Sequence, residues 1–100
     1  MRIKTFHKEI NNCNILKVEV GTNYPMGGDS GHGGRTVFGL KDIASTAMSV
    51  EVNGKRIDCV DEVRIILSGD SEFETFLEAL ETAVATLKLM SDGYVTECDA

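Results

Sequence analysis

The stretch EVRIILSGDSEFETFLEALETAVATLKLMS, Glu62 to Ser91, changes its hydrophobic period part-way along, and that change decides the fold class. In Glu62–Ser68, Val63, Ile65 and Leu67 lie on one face and Ile66 on the other, the period of a strand. Beyond Gly69, the residues Phe73, Phe76, Leu77, Leu80, Val84 and Leu87 recur at helical spacing and form a single stripe. Ser71 with Glu74 three residues on matches a capping box. The early glutamates suit the positive end of a helix dipole, and Gly93 is a stop signal. The pattern predicts a helix from about 71 to 91. At 1.5 Å per residue it is roughly 30 Å long, longer than a small sheet is wide. One end should overhang, with a partner subunit as the expected cover for its stripe.

Upstream, the chain reads as β. Leu16, Val18 and Val20 alternate with Lys17 and Glu19 in 14–21, the period of a half-buried strand. A less regular strand is expected over 2–9, with Asn11-Asn12 as the turn between them. The segment 36–41 reads as a short strand, with Gly39 marking a bulge or a close approach. Asn53-Gly54 signals a type I′ hairpin. Its register sets Val52 against Lys55, Glu51 against Arg56, Val50 against Ile57, Ser49 against Asp58 and Met48 against Cys59, with Met48 and Cys59 expected in the core. The predicted fold is therefore α+β: an antiparallel β-sheet of about five to six strands followed by a long C-terminal α-helix. One domain is expected over 1–100, with a β-rich part at 1–69, the helix within 70–92 and a tail at 93–100.

The 100 residues have 42% hydrophobic and 26% charged composition, that of a globular chain. No apolar run reaches membrane-spanning length. The first residues hold no signal-type apolar segment, so a cytoplasmic location is expected. Cys13, Cys59 and Cys98 are odd in number and far apart, which argues against a disulfide scaffold or a structural zinc site. The net charge of −6 divides unevenly: residues 1–57 carry +3 and residues 58–100 carry −9. A chain this acidic is not expected to bind DNA or RNA, which needs a broad positive field. A small anionic ligand in the N-terminal half is still allowed.

The candidate site is the loop from Gly21 to Thr36, where five of the ten glycines fall between Gly27 and Gly34. Glycine loses the most backbone entropy on ordering, so such a loop needs a reason. Successive amides of Gly27, Gly28, Gly31, Gly33 and Gly34 can form an anion-holding nest. Ser30, His32, Arg35 and Thr36 add side-chain donors, with Arg35 able to grip a phosphate through two parallel bonds. Asn23 adds a polar group, Tyr24 a stacking surface, and Asp29 an acceptor for a ribose hydroxyl or for Arg35. The loop lacks the P-loop lysine and the dinucleotide-binding glycine spacing. A mobile connector without function is the alternative.

Gly28-Asp29-Ser30-Gly31 has the residues found around a chymotrypsin-like nucleophile, but the chain is too short for that fold. Its only histidines are His7 and His32, and His32 lies two residues from Ser30. No catalytic residue is assigned. Asp29, His32 and His7 have no recognised ligand spacing, so no metal and no cofactor is expected. Phe73 and Phe76 lie on the helix stripe and read as core.

Val18-Glu-Val-Gly-Thr-Asn23, then Gly27-Gly-Asp-Ser-Gly-His-Gly-Gly-Arg-Thr36, then Lys41-Asp-Ile-Ala-Ser-Thr46 resembles the phage anti-Thoeris sponge family. The match lies mostly in 16–46; the helix adds only its type. The resemblance implies a non-enzymatic phage protein of immune evasion, acting in the host cytoplasm. It would sequester a cyclic ADP-ribose isomer without cleaving it. It also implies cyclic di- or trinucleotides as further ligands for some members, and a homo-oligomer, dimer or hexamer. Family pockets use an aromatic residue and arginines around base and phosphates. Arg35 and its loop are carried over, while the aromatic, Phe73 or Phe76, is not placed. A small protein–protein interaction module with an adaptable Gly-rich loop is the alternative, and a small phosphoesterase ranks behind it.

Overall fold

The computed structural model describes residues 3–28 and 33–93. Six strands precede one helix: β1 (Thr5–Asn11), β2 (Ile15–Thr22), β3 (Arg35–Ala44), β4 (Val50–Val52), β5 (Lys55–Ile57), β6 (Glu62–Ser68) and α1 (Asp70–Ser91). They form a four-stranded antiparallel sheet in the order β1-β2-β3-β6, with β4 and β5 pairing separately. The α+β expectation is met, with the hairpin as its own small sheet. Boundaries differ from the sequence reading at the first three strands: β1 runs Thr5–Asn11 where the sequence predicts 2–9. The first turn falls at Asn12–Asn14 instead of Asn11-Asn12, and β3 runs on to Ala44.

The hairpin has the expected register, Val50 opposite Ile57, Glu51 opposite Arg56 and Val52 opposite Lys55. Asn53 and Gly54 have φ of 52° and 77°, the left-handed pair that a type I′ turn needs. Ser49 Oγ and Asp58 Oδ1, one step below the ladder, are 2.9 Å apart. Arg56 Nε donates to the same oxygen at 2.6 Å, and these two donors, Arg56 first, hold the Asp58 carboxyl below its usual range. Cys59 is not core. It is exposed with φ of 56°, while Met48 is half-buried, because the hairpin has no second layer against it.

Pairing in the main sheet aligns Phe6, Val20, Phe38 and Ile65 in one row, and Lys8, Val18, Leu40 and Val63 in the next. This apolar face meets α1, whose Phe76 packs edge-on against Phe38 with ring centroids 5.8 Å apart. The opposite face is polar. There His7 Nε2 lies 3.4 Å from Glu19 Oε2, and Arg64 Nε donates to Glu19 Oε1 at 2.9 Å. Gly39 stands between Glu19 and Arg64 in that row. A Cβ there would lie 3.2 Å from both Arg64 Cγ and Glu19 Oε1. Gly39 is thus a close approach; the irregularity in the ladder sits instead between Ile15 and Leu16.

The capping box does not form. The N-cap is Gly69, with φ of 120° and no side-chain cap bond, and Ser71 lies inside the helix. The chain passes from β6 into α1 through one residue, and that turn requires the backbone geometry of glycine. The far end matches the expectation, with Gly93 at φ of 92° just past the helix.

Helix α1 contacts β3 and β6 but leaves the apolar rows of β1 and β2 uncovered. Phe73, Phe76 and Leu80 are half-buried, while Leu77, Val84 and Leu87 are exposed and every residue from Glu81 to Ser91 is exposed. The overhang inferred from helix length is present. Among described hydrophobic residues only Val37, at 6% exposure, is fully buried.

Candidate functional site: the braced glycine loop

The two ends of the loop are cross-braced before any ligand is considered. Asn23 opens one end and Arg35 closes the other. Arg35 N donates to Asn23 Oδ1 at 2.7 Å, and Asn23 N donates to Arg35 O at 3.3 Å. Thr22 and Thr36, paired across β2 and β3, bring their hydroxyls within 2.9 Å. Tyr24 N donates to Thr22 Oγ1 at 3.2 Å. Gly34 is buried under this brace: a Cβ there would come 2.6 Å from Asn23 Oδ1 and 3.3 Å from Asp70 Oδ1.

The first turn of α1 holds the same loop from the other side. Asp70 accepts from Met26 N at 3.1 Å and from Gly27 N at 2.8 Å. Asp70 N donates to Gly28 O at 3.3 Å, and Gly69 N donates to Gly34 O at 2.9 Å. Tyr24 stacks on Phe73, with centroids 4.3 Å apart and planes 20° apart. Its hydroxyl donates to Glu74 Oε1 at 2.7 Å. That hydrogen bond, then burial, then the charges of Glu74 and Asp70, raise the Tyr24 phenol above its ordinary value.

The sequence expected a nest of glycine amides open to an anion. Of the described amides, those of Met26 and Gly27 already hold a carboxylate, that of Asp70. Tyr24 is committed to Phe73. Arg35 starts β3 one residue before Thr36, so strand alternation sends its side chain off the face opposite α1. Its Nη1 donates to Gly33 O at 3.3 Å and to Gly34 O at 3.0 Å. No other bond from the guanidinium is made among the described residues. Asp29, Ser30, Gly31 and His32 lie outside the described residues.

Beside the brace, a groove of about 300 Å³ runs between the sheet and α1. Val20, Phe38, Phe73, Phe76 and Leu80 wall it, and Thr22 and Thr36 sit in its lining. Three contributors were missed by sequence reasoning: Asp70, Glu74 in its real role, and Thr22. Asp70 and Glu74 reach the loop from 44 and 50 residues away, and no local pattern reports such a contact. Glu74 did stand out, but as half of a cap that does not form.

No helix in the described part is long and apolar enough to cross a membrane. Among the described residues no three His, Cys, Asp or Glu side chains gather as metal ligands. Comparison with protein-family models, curated proteins and solved structures finds no match to this chain.

Proposed function

We propose that the chain is a non-enzymatic nucleotide sponge of the phage anti-Thoeris type. In this reading it captures a cyclic ADP-ribose isomer, with cyclic oligonucleotides as further candidates, and releases it chemically unchanged. The carrying observation is the bracing of the glycine loop from both sides, by Asn23 and Arg35 on the sheet and by Asp70 on the helix. A connector without function has no use for such order. Flanking residues held in place before binding leave less to order on capture, and that ordering otherwise subtracts from affinity. The loop residues 27–36 are among those that carry the resemblance.

Within this reading the residues take separate roles. Arg35 has donors to spare beyond Nη1 and is the phosphate-directed group. Asp70 acts as internal strut and not as a ligand contact. The chain is proposed to work as a homo-oligomer, dimer or hexamer, in the host cytoplasm. A small interaction module is the second reading, and the exposed stripe of α1 favours it.

The test is ligand capture. The protein is incubated with a cyclic ADP-ribose isomer, desalted, heat-denatured and the supernatant weighed by mass spectrometry. Recovery of unaltered ligand is expected. Recovery of hydrolysed product, or of nothing at stoichiometric loading, overturns the proposal.

A further inference from the structure

The main sheet ends in β1 on one side and β6 on the other. β1 carries His7, Lys8 and Glu9 in succession, the kind of charge that keeps an edge from pairing. β6 has no such guard. It runs seven residues without a proline or a break in its ladder with β3, and Arg64 is its only charge between Val63 and Ser68. Two bonds fix which of its backbone groups are free. Gly69 N donates to Gly34 O at 2.9 Å, and Asp42 N donates to Asp61 O at 2.7 Å, at the two ends of that ladder. Both set the same phase, so 63, 65 and 67 exchange bonds with β3, while the N–H and C=O of Arg64, Ile66 and Ser68 point away from the sheet. Helix α1 runs beside this edge and leaves a groove of about 350 Å³, with Leu67 from the strand and Ser71, Thr75, Phe76 and Ala79 from the helix. Glu72 lines it too, and its Oε2 is buried with no hydrogen-bond partner among the described residues. That oxygen is close to the end of β6: a Cβ on Gly69 would lie 2.6 Å from it. No cation answers it. Arg64 is bound to Glu19 on the opposite face of the sheet, and α1 has no lysine or arginine before Lys88.

We propose that β6 is a strand-addition site for an extended, basic peptide segment of another protein, seated between the free edge and α1. The outward groups of Arg64, Ile66 and Ser68 supply the main-chain bonds. Side chains on alternate peptide residues share one face. A peptide residue opposite Leu67 therefore points into the groove, where the small Ser71, Thr75 and Ala79 side chains leave room for an apolar group. The peptide residue two places along, opposite Gly69, lies on the same face and brings a lysine or arginine to Glu72. The main chain gives affinity and the two side-chain positions give the choice of sequence, as in other strand-addition sites. An acidic residue at the second position would set like charge against Glu72 and is rejected.

The site is separate from the glycine loop and does not rest on nucleotide capture. The full chain is titrated with the end-capped peptide Ser-Thr-Ile-Thr-Lys-Thr-Ser and with the same peptide carrying Glu in place of Lys, and amide exchange is followed residue by residue. With the lysine peptide in excess, exchange at Arg64, Ile66 and Ser68 should slow roughly tenfold or more, while the amides of β1 keep their rates. The glutamate peptide should bind about tenfold more weakly, and Glu72→Gln should narrow that gap to about threefold or less. Thr75→Trp, a change on the helix surface that fills the groove, should raise the Kd of the lysine peptide roughly tenfold or more. Unchanged exchange at the three amides, equal binding to Thr75→Trp, or indifference to the peptide's charge overturns the proposal. Amides at these positions that are already slow in the free chain, and speed up on dilution, would give the edge to a second copy and overturn it as well. Capture of a cyclic ADP-ribose isomer, measured on the same variants, should be unchanged, so the two readings fail separately.

Discussion

Tyr24 joins the loop to the helix twice, by its ring on Phe73 and by its hydroxyl on Glu74. The phenol is therefore held protonated in the fold, with its value raised. A group raised on folding adds stability that is full below its unfolded value, about 10 for a tyrosine, and is lost as pH rises through the folded value. The chain has two tyrosines, Tyr24 and Tyr94. In a phenolate absorbance titration one of them should ionise above the usual range. Glu74→Gln, which keeps an acceptor and removes the charge, should bring that step down, and Tyr24→Phe should abolish it. Two tyrosines that ionise together in the ordinary range would contradict the Tyr24–Glu74 bond.

Elements were legible in the sequence wherever the rule was local. The Asn53-Gly54 hairpin came out in register because the turn type fixes which residues face each other. Strand β6 and helix α1 came out because their periods differ over enough residues to count. The start of α1 did not, because Ser71 and Glu74 match a cap while Gly69 makes the turn and Glu74 is taken by Tyr24. Arg35 and Asn23 were singled out as ligand groups, and the structure adds a prior duty, holding the ends of the loop together. The hairpin has one consequence of being a separate sheet. Gly54→Val puts a β-branched residue at φ of 77°, with a cost of about 1–2 kcal/mol or more. The loss should register first as faster amide exchange in 50–57, ahead of the main sheet. Unchanged protection of those amides would remove the tight turn from the account.

At the scale of the whole molecule, one fully buried hydrophobic residue among those described is too little core for a chain of this size. The uncovered rows of β1 and β2, with Phe6 at 60% exposure, and the overhang of α1 point to the same remedy, association. The sequence contained this shortage, since the stripe is longer than any small sheet. It did not contain the loop bracing, which depends on Asp70 meeting Gly27 across 43 residues. The central claim is that this braced loop captures an anionic nucleotide through Arg35. Calorimetric titration with a cyclic ADP-ribose isomer, on wild type, Arg35→Ala and Arg35→Lys, tests it most directly. A charge-assisted pair of about 1.5–3 kcal/mol predicts binding by the wild type and a loss of roughly 10- to 150-fold in Arg35→Ala. Arg35→Lys should recover only part, because lysine carries the charge without the fork. Equal affinities in all three proteins, or no heat of binding in the wild type, would contradict the claim.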